Sequence, residues 1–120
     1  MMNEAIFQQI CNELSQYLLP GLSRLVIYLE YGEGSYCFSF YEKISEKYVK
    51  CYDLPGVTDD SLVASFDRIN DIVAGVRRDG WTSMTMVVDA EGRMHADFDY
   101  TEASEDEYLS REAWKRKYLI

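Results

Sequence analysis

LSRLVIYLEYGEGSYCFSFYE, residues 22–42, decides the fold, because it holds two strands and the turn that joins them. Leu25, Val26, Ile27, Tyr28 and Leu29 form a β-branched and aromatic mixture that suits a well-buried strand, read here over Leu22 to Tyr31. Gly32-Glu33-Gly34 supplies a turn. From Ser35 to Glu42, the bulky Tyr36, Phe38 and Phe40 alternate with Ser35, Cys37 and Ser39, which is the two-residue period of a strand with one buried face. The pair reads as an antiparallel hairpin.

Working outward, Lys47 to Asp53 is a third strand carrying Tyr48, Val49, Cys51 and Tyr52. Upstream, Asn3 to Leu19 reads as an amphipathic helix. Ile6, Ile10, Leu14 and Tyr17 share one face with Phe7, Cys11 and Leu18 beside them, and Pro20-Gly21 stops it. Downstream, Pro55-Gly56 breaks the chain and Thr58 or Asp59 can cap a second helix. Leu62, Phe66, Ile69, Val73 and Val76 repeat along it at helical spacing, and Arg77-Arg78 with Gly80 closes it. Trp81 to Val88 and Arg93 to Tyr100 are strands around an Asp89–Gly92 turn. In the second of them Met94, Ala96, Phe98 and Tyr100 alternate with His95, Asp97 and Asp99. Ser104 with Glu107 makes a capping box for a last helix ending near Tyr118.

The order α-β-β-β-α-β-β-α specifies an α+β fold, a single domain over residues 1–120. A mainly antiparallel sheet of about five strands is expected, with flanking helices. Ile10, Leu14, Phe38, Phe66, Ile69, Val73, Val87 and Phe98 are the expected core.

With 120 residues the chain can bury a core without a disulfide or metal staple. Cys11, Cys37 and Cys51 form no CxxC pair and have mostly apolar neighbours, so they are expected to be buried, reduced and free of metal. The first residues, MMNEAIFQQICNELSQ, carry acids and amides instead of a basic segment followed by an apolar run. No signal peptide is expected, and no stretch nears the ~20 apolar residues of a membrane helix. A cytoplasmic location follows as the expectation. Twelve Lys and Arg against twenty-one Asp and Glu give a formal charge of −9. That balance argues against direct nucleic-acid or anionic-membrane binding and suits a protein partner with a basic surface, although acidity also serves solubility alone.

Catalytic chemistry is sparsely provided for. His95, the only histidine, sits at an outward strand position with no nucleophile near it in sequence and reads as an ordinary strand residue. Asp97 and Asp99 share a strand face, a spacing open to a metal or an acid–base pair, but no second ligand cluster accompanies them. The glycines spell no phosphate loop or dinucleotide fingerprint, and no GxSxG elbow is present. The chain is read as a non-enzyme without a cofactor.

One local feature stands apart. DFDYTEASEDE, residues 97–107, carries six acids and no base, and Arg111, Lys115, Arg116 and Lys117 follow it. Acids at a helix start and bases at its end complement the helix dipole, which accounts for Glu105, Asp106 and Glu107 but not for Asp97 and Asp99. Asp97, Asp99, Tyr100, Glu102, Glu105, Asp106 and Glu107 are therefore the candidate partner-binding residues. Tyr100 is either an aromatic anchor or a core residue by its alternation with Phe98. Changing Asp97 and Asp99 together to Lys is expected to weaken partner binding and leave the fold intact.

The C-terminal third resembles the closing segment of the YezG-like antitoxin, or immunity-protein, family. The matching pieces are Trp81-Thr82 opening a strand, Asp89 with Gly92-Arg93 at a hairpin, the Asp97-Phe98-Asp99-Tyr100 strand, and the helix from Arg111 to Leu119. His95-Ala96 departs from it, a more β-branched pair being expected there. The N-terminal half agrees more loosely, through the Leu19-Pro20 turn, FSFYEK in the hairpin and CYDLP at Cys51 to Pro55. The resemblance implies a cytoplasmic antitoxin that binds and silences a cognate polymorphic toxin, usually a nuclease, and it supplies no catalytic residues. Two other readings compete: an acidic chaperone for a secreted effector, and a small hydrolase using Asp97 and Asp99, which requires a deep pocket or a metal beside them.

Overall fold

The computed structural model describes residues 3–32, 35–76, 80–100 and 107–120, the stretch 107–110 as backbone only. Helix α1 (Glu4–Leu14) begins at Asn3, whose side-chain oxygen accepts from the Ile6 amide at 3.1 Å. It stops earlier than Leu19. The Ser15 hydroxyl bonds back to the Asn12 carbonyl at 2.8 Å, and Ser15–Tyr17 tightens into a 3-10 turn. Strands β1 (Arg24–Gly32) and β2 (Ser35–Ile44) form the hairpin. A two-residue turn at Ser45-Glu46, both in the left-handed region, then leads to β3 (Lys47–Lys50). β3 is shorter than expected. Cys51 and Leu54 are both buried, so the chain leaves the sheet for the core through a 3-10 turn at Cys51–Asp53.

Helix α2 (Asp59–Ala74) is capped by Thr58, whose hydroxyl accepts from the Ser61 amide. It ends before Val76, and Arg77 and Arg78 lie outside the described residues. Strands β4 (Ser83–Asp89) and β5 (Met94–Asp99) follow, then α3 (Glu107–Tyr118). Ser104 of the expected capping box also lies outside the described residues.

All five strands are antiparallel, in the order β3-β2-β1-β4-β5. Side chains alternate between two faces. On the inner face Leu25, Ile27, Leu29, Phe38, Phe40, Met84 and Met86 meet Ile10 and Leu14 of α1 and Leu62, Phe66, Ile69 and Val73 of α2. The Tyr17 hydroxyl ties the two helices together, reaching the Ser61 carbonyl at 2.9 Å and the Ser65 hydroxyl at 2.7 Å. Helix α3 lies across the opposite, outer face. Its Trp114 ring packs 5.1 Å from Tyr28, 5.6 Å from Tyr41 and 5.5 Å from Tyr118, and its indole N–H donates to the Thr85 hydroxyl at 2.9 Å.

Two core expectations change. Val87 belongs to the outer face, across from Val26 and His95, and is only half-buried. Phe98 faces inward beside Trp81 but is also half-buried, because β5 is an edge strand. Cys37 is exposed on the outer face, whereas Cys51 is buried and Cys11 partly so.

Glu42 is the one charged residue among the fully buried described side chains. One carboxylate oxygen accepts from the Leu19 amide at 2.8 Å and the other has no partner. Burial pushes its carboxyl above the ordinary range, against the pull of that amide. A carboxyl raised in the folded state favours folding fully below its unfolded pKa, and that advantage is lost as the pH climbs through the folded value. Glu42→Gln is therefore expected to be more stable than the parent at neutral pH, with the gap closing as the pH falls to about 4. Urea unfolding across that range measures it. A gap that stays constant with pH would show that Glu42 does not titrate there.

Candidate functional site

The antiparallel register sets the outer face in rows. One row runs Cys37–Glu30–Ser83–Asp99 across β2, β1, β4 and β5, and the next runs Ser39–Tyr28–Thr85–Asp97. Glu30 and Asp99 thus stand two strand spacings apart, about 10 Å, on one face. Asp99 is exposed and Glu30 half-buried, with the Tyr28 hydroxyl donating to the Glu30 carboxylate. Burial and that negative neighbour push the Tyr28 hydroxyl pKa well up, so it remains a donor.

Asp97 has a structural task in addition to its charge. One oxygen lies 2.8 Å from His95 Nε2 and the other accepts from the Tyr118 hydroxyl at 2.7 Å. The Tyr118 hydroxyl, with His95 behind it, holds the Asp97 carboxyl below the usual carboxylate range. Burial and Asp97 raise Tyr118 in turn to about 12. A carboxylate held ionised with both oxygens engaged is a weakened base; here it ties α3 to β5. Reversing its charge would unsettle α3 as well as the surface, contrary to the expectation that the fold stays intact.

The carbonyl end of α3 is pinned at the opposite end of the sheet. Arg24 donates to the Tyr118 carbonyl at 3.1 Å, and Lys43 and Tyr48 to the Ile120 carbonyl at 3.0 and 2.7 Å. With that end pinned and the helix rising about 1.5 Å per residue, its start at Glu107 lies toward the end where β5 finishes. Of the basic residues at that end, Lys117 lies near enough to help hold the Asp97 carboxylate ionised, so the positive end of α3 reaches the row behind Glu30–Asp99.

Of the seven candidate residues, the structure places Asp97 and Asp99 on this face and leaves Tyr100 beside them 59% exposed, not in the core. Glu102, Glu105 and Asp106 lie outside the described residues, as does the side chain of Glu107. Glu30 lies far from the Asp97–Glu107 stretch in sequence and joins the acidic face through pairing that periodicity along one strand does not show. The His95–Asp97 contact is local and was open to reading, since residues two apart on a strand share a face.

The shared motif residues hold the fold. Asp89 accepts from the Glu91 and Arg93 amides at 3.0 and 2.9 Å and from Arg93 Nε at 2.8 Å, locking a turn in which Gly92 has φ +82°. The Arg93 amide is the main reason the Asp89 carboxyl sits below its ordinary range. Trp81 is buried between Tyr31 and Phe98, and the Thr82 hydroxyl donates to the Asp99 carbonyl at 3.0 Å. Among the described residues no group of three His, Cys, Asp or Glu is placed to hold a metal, and no helix is long and apolar enough to cross a membrane. The family model described as "Immunity protein YezG-like" matches residues 3–120, nearly the whole chain. A comparison with curated proteins returned no match.

Proposed function

Since the chain belongs to the YezG-like immunity protein family, we propose that it binds and silences a cognate toxin, a nuclease whose basic surface meets the acidic outer face of the sheet. The observation that carries this reading is the cross-strand row joining Glu30 to Asp99, with Asp97 in the row behind and Tyr100 exposed at the strand end. A nuclease must hold phosphates with Lys and Arg, so an acidic face can occupy or flank the same groups. The protein acts as a stoichiometric inhibitor in the cytoplasm. Asp97, Asp99, Tyr100, Glu102, Glu105, Asp106 and Glu107 contribute to the contact, and Glu30 joins them.

The double variant Glu30→Lys/Asp99→Lys spares the Asp97–Tyr118 anchor and tests the face. At low salt its association with the inactivated toxin domain encoded beside this gene is expected to slow by about tenfold or more, with the difference shrinking as salt rises. Either single change is expected to matter little, because exposed ion pairs are worth under ~1 kcal/mol. Stopped-flow association with thermal unfolding as the folding control gives the answer. Parent-like association at both salts would place the interface elsewhere.

A further inference from the structure

The sheet has a second feature that the acidic face does not use. β3 pairs with Tyr41–Ile44 of β2, so among the described residues the first half of β2 has no strand beyond it. The Tyr31 amide donates to the Thr82 carbonyl, which means that odd-numbered residues of β1 turn their main-chain groups to β4 and even-numbered ones to β2. Glu30 and Tyr28 therefore bond Cys37 and Ser39. By the same alternation, Tyr36 and Phe38 direct their N–H and C=O groups outward, at the uncovered edge. The next residue in that series, Phe40, is already served, its amide meeting the Cys51 sulfur.

An apolar groove of about 280 Å³ lies along this edge, lined by Tyr36, Cys37, Phe38, Tyr52, Val63 and Phe66. Its outer walls are apolar side chains left in water: Tyr52 is 46% and Val63 48% exposed. The rim is acidic. Asp67 accepts from the Tyr36 hydroxyl, Asp71 acts on the same hydroxyl, and Asp59 acts on Tyr52.

We propose that this edge takes an extended, basic segment of the toxin as an added strand. Tyr36 and Phe38 would supply the main-chain hydrogen bonds, the groove would take one apolar side chain, and Asp59, Asp67 and Asp71 would meet flanking Lys or Arg. Strand addition draws affinity from main-chain bonds and specificity from pockets for alternate side chains, and both elements are present here. A second copy of this chain is the poorer occupant, since it would bring the same acids against these and a charge of −9 against −9. The proposal rests on the toxin-binding reading but uses a different part of the molecule.

Amide exchange by NMR, free and in complex with the inactivated toxin domain encoded beside this gene, tests it. On binding, exchange at Tyr36 and Phe38 is expected to slow by at least about tenfold, while Cys37 and Ser39, already bonded to β1, change little. Val63→Lys, at an exposed helix position, is expected to keep the fold and weaken the complex by about tenfold. A complex that forms with Tyr36 and Phe38 exchanging as in the free protein, or that tolerates Val63→Lys, overturns the edge proposal and leaves toxin binding standing. Slow exchange at both amides in a free protein that is dimeric overturns it in favour of self-pairing. Failure to form any complex removes the toxin reading and this inference together.

Discussion

Phe66→Ala is expected to lower the unfolding free energy by about 3–5 kcal/mol, a large share of the ~5–15 kcal/mol that holds a domain of this kind together. Phe66 lies on the buried face of α2 with its ring 4.4 Å from Phe38, 6.2 Å from Phe40 and 6.4 Å from Tyr52. Two of those rings belong to β2 and the third to the turn after β3, so one side chain joins the helix to the sheet and to the exit from it. Removing the ring leaves a hole whose walls are themselves large aromatics, fixed from behind by the β1–β2 ladder and poorly able to close in. Ile69→Ala, one turn further along the same face and fully buried, is expected to cost about 2–5 kcal/mol. Urea unfolding followed by circular dichroism measures both. A loss below ~1 kcal/mol for Phe66→Ala would mean that α2 is not seated on the sheet as described.

Trp114→Ala is expected to cost about 3 kcal/mol, the low end for an aromatic truncation because the residue is half-buried, and to release α3 selectively. The helix EYLSREAWKRKY is rich in charge, and twelve residues are too few for a stable helix in water without packing. Its hold on the sheet comes from Trp114 against Tyr28 and Tyr41, from the indole bond to Thr85, and from Tyr118 on Asp97. Without the indole ring the helix keeps the part-buried Tyr118–Asp97 and Arg24–Tyr118 bonds and the exposed bonds to the Ile120 carbonyl, all of which hold its last turn alone. Hydrogen exchange should then accelerate throughout α3 while α2 stays protected. Equal loss of protection in α2 and α3 would show that the outer layer does not open independently, and unchanged protection in α3 would show that Trp114 does not anchor it.

These two variants separate what was legible in the sequence from what was not. The α2 face could be read directly: Leu62, Phe66, Ile69 and Val73 fall on one side at helical spacing, and all four are buried. Trp114 could not be assigned in that way, because α3 has no apolar stripe to say which surface it covers. The candidate site divides similarly. The shared face of Asp97 and Asp99 follows from strand alternation, whereas the tie from Asp97 to Tyr118 depends on where the helix returns.

The chain by itself determined the kind and order of its elements, the hairpin at Gly32, the inward alternation of Phe38 and Phe40, and the cap at Thr58. These rest on periodicity, turn chemistry and capping, which act between residues a few positions apart. Only the tertiary structure decided the strand order β3-β2-β1-β4-β5, the placement of α3 opposite α1 and α2, the move of Val87 to the outer face, and the meeting of Glu30 with Asp99. Pleating tells a strand that it has two faces without saying what will cover either, and register between distant strands is set by the whole core at once. The uncovered edge at Tyr36 and Phe38 arises in the same way, because β3 leaves the sheet at Lys50 to bury Cys51.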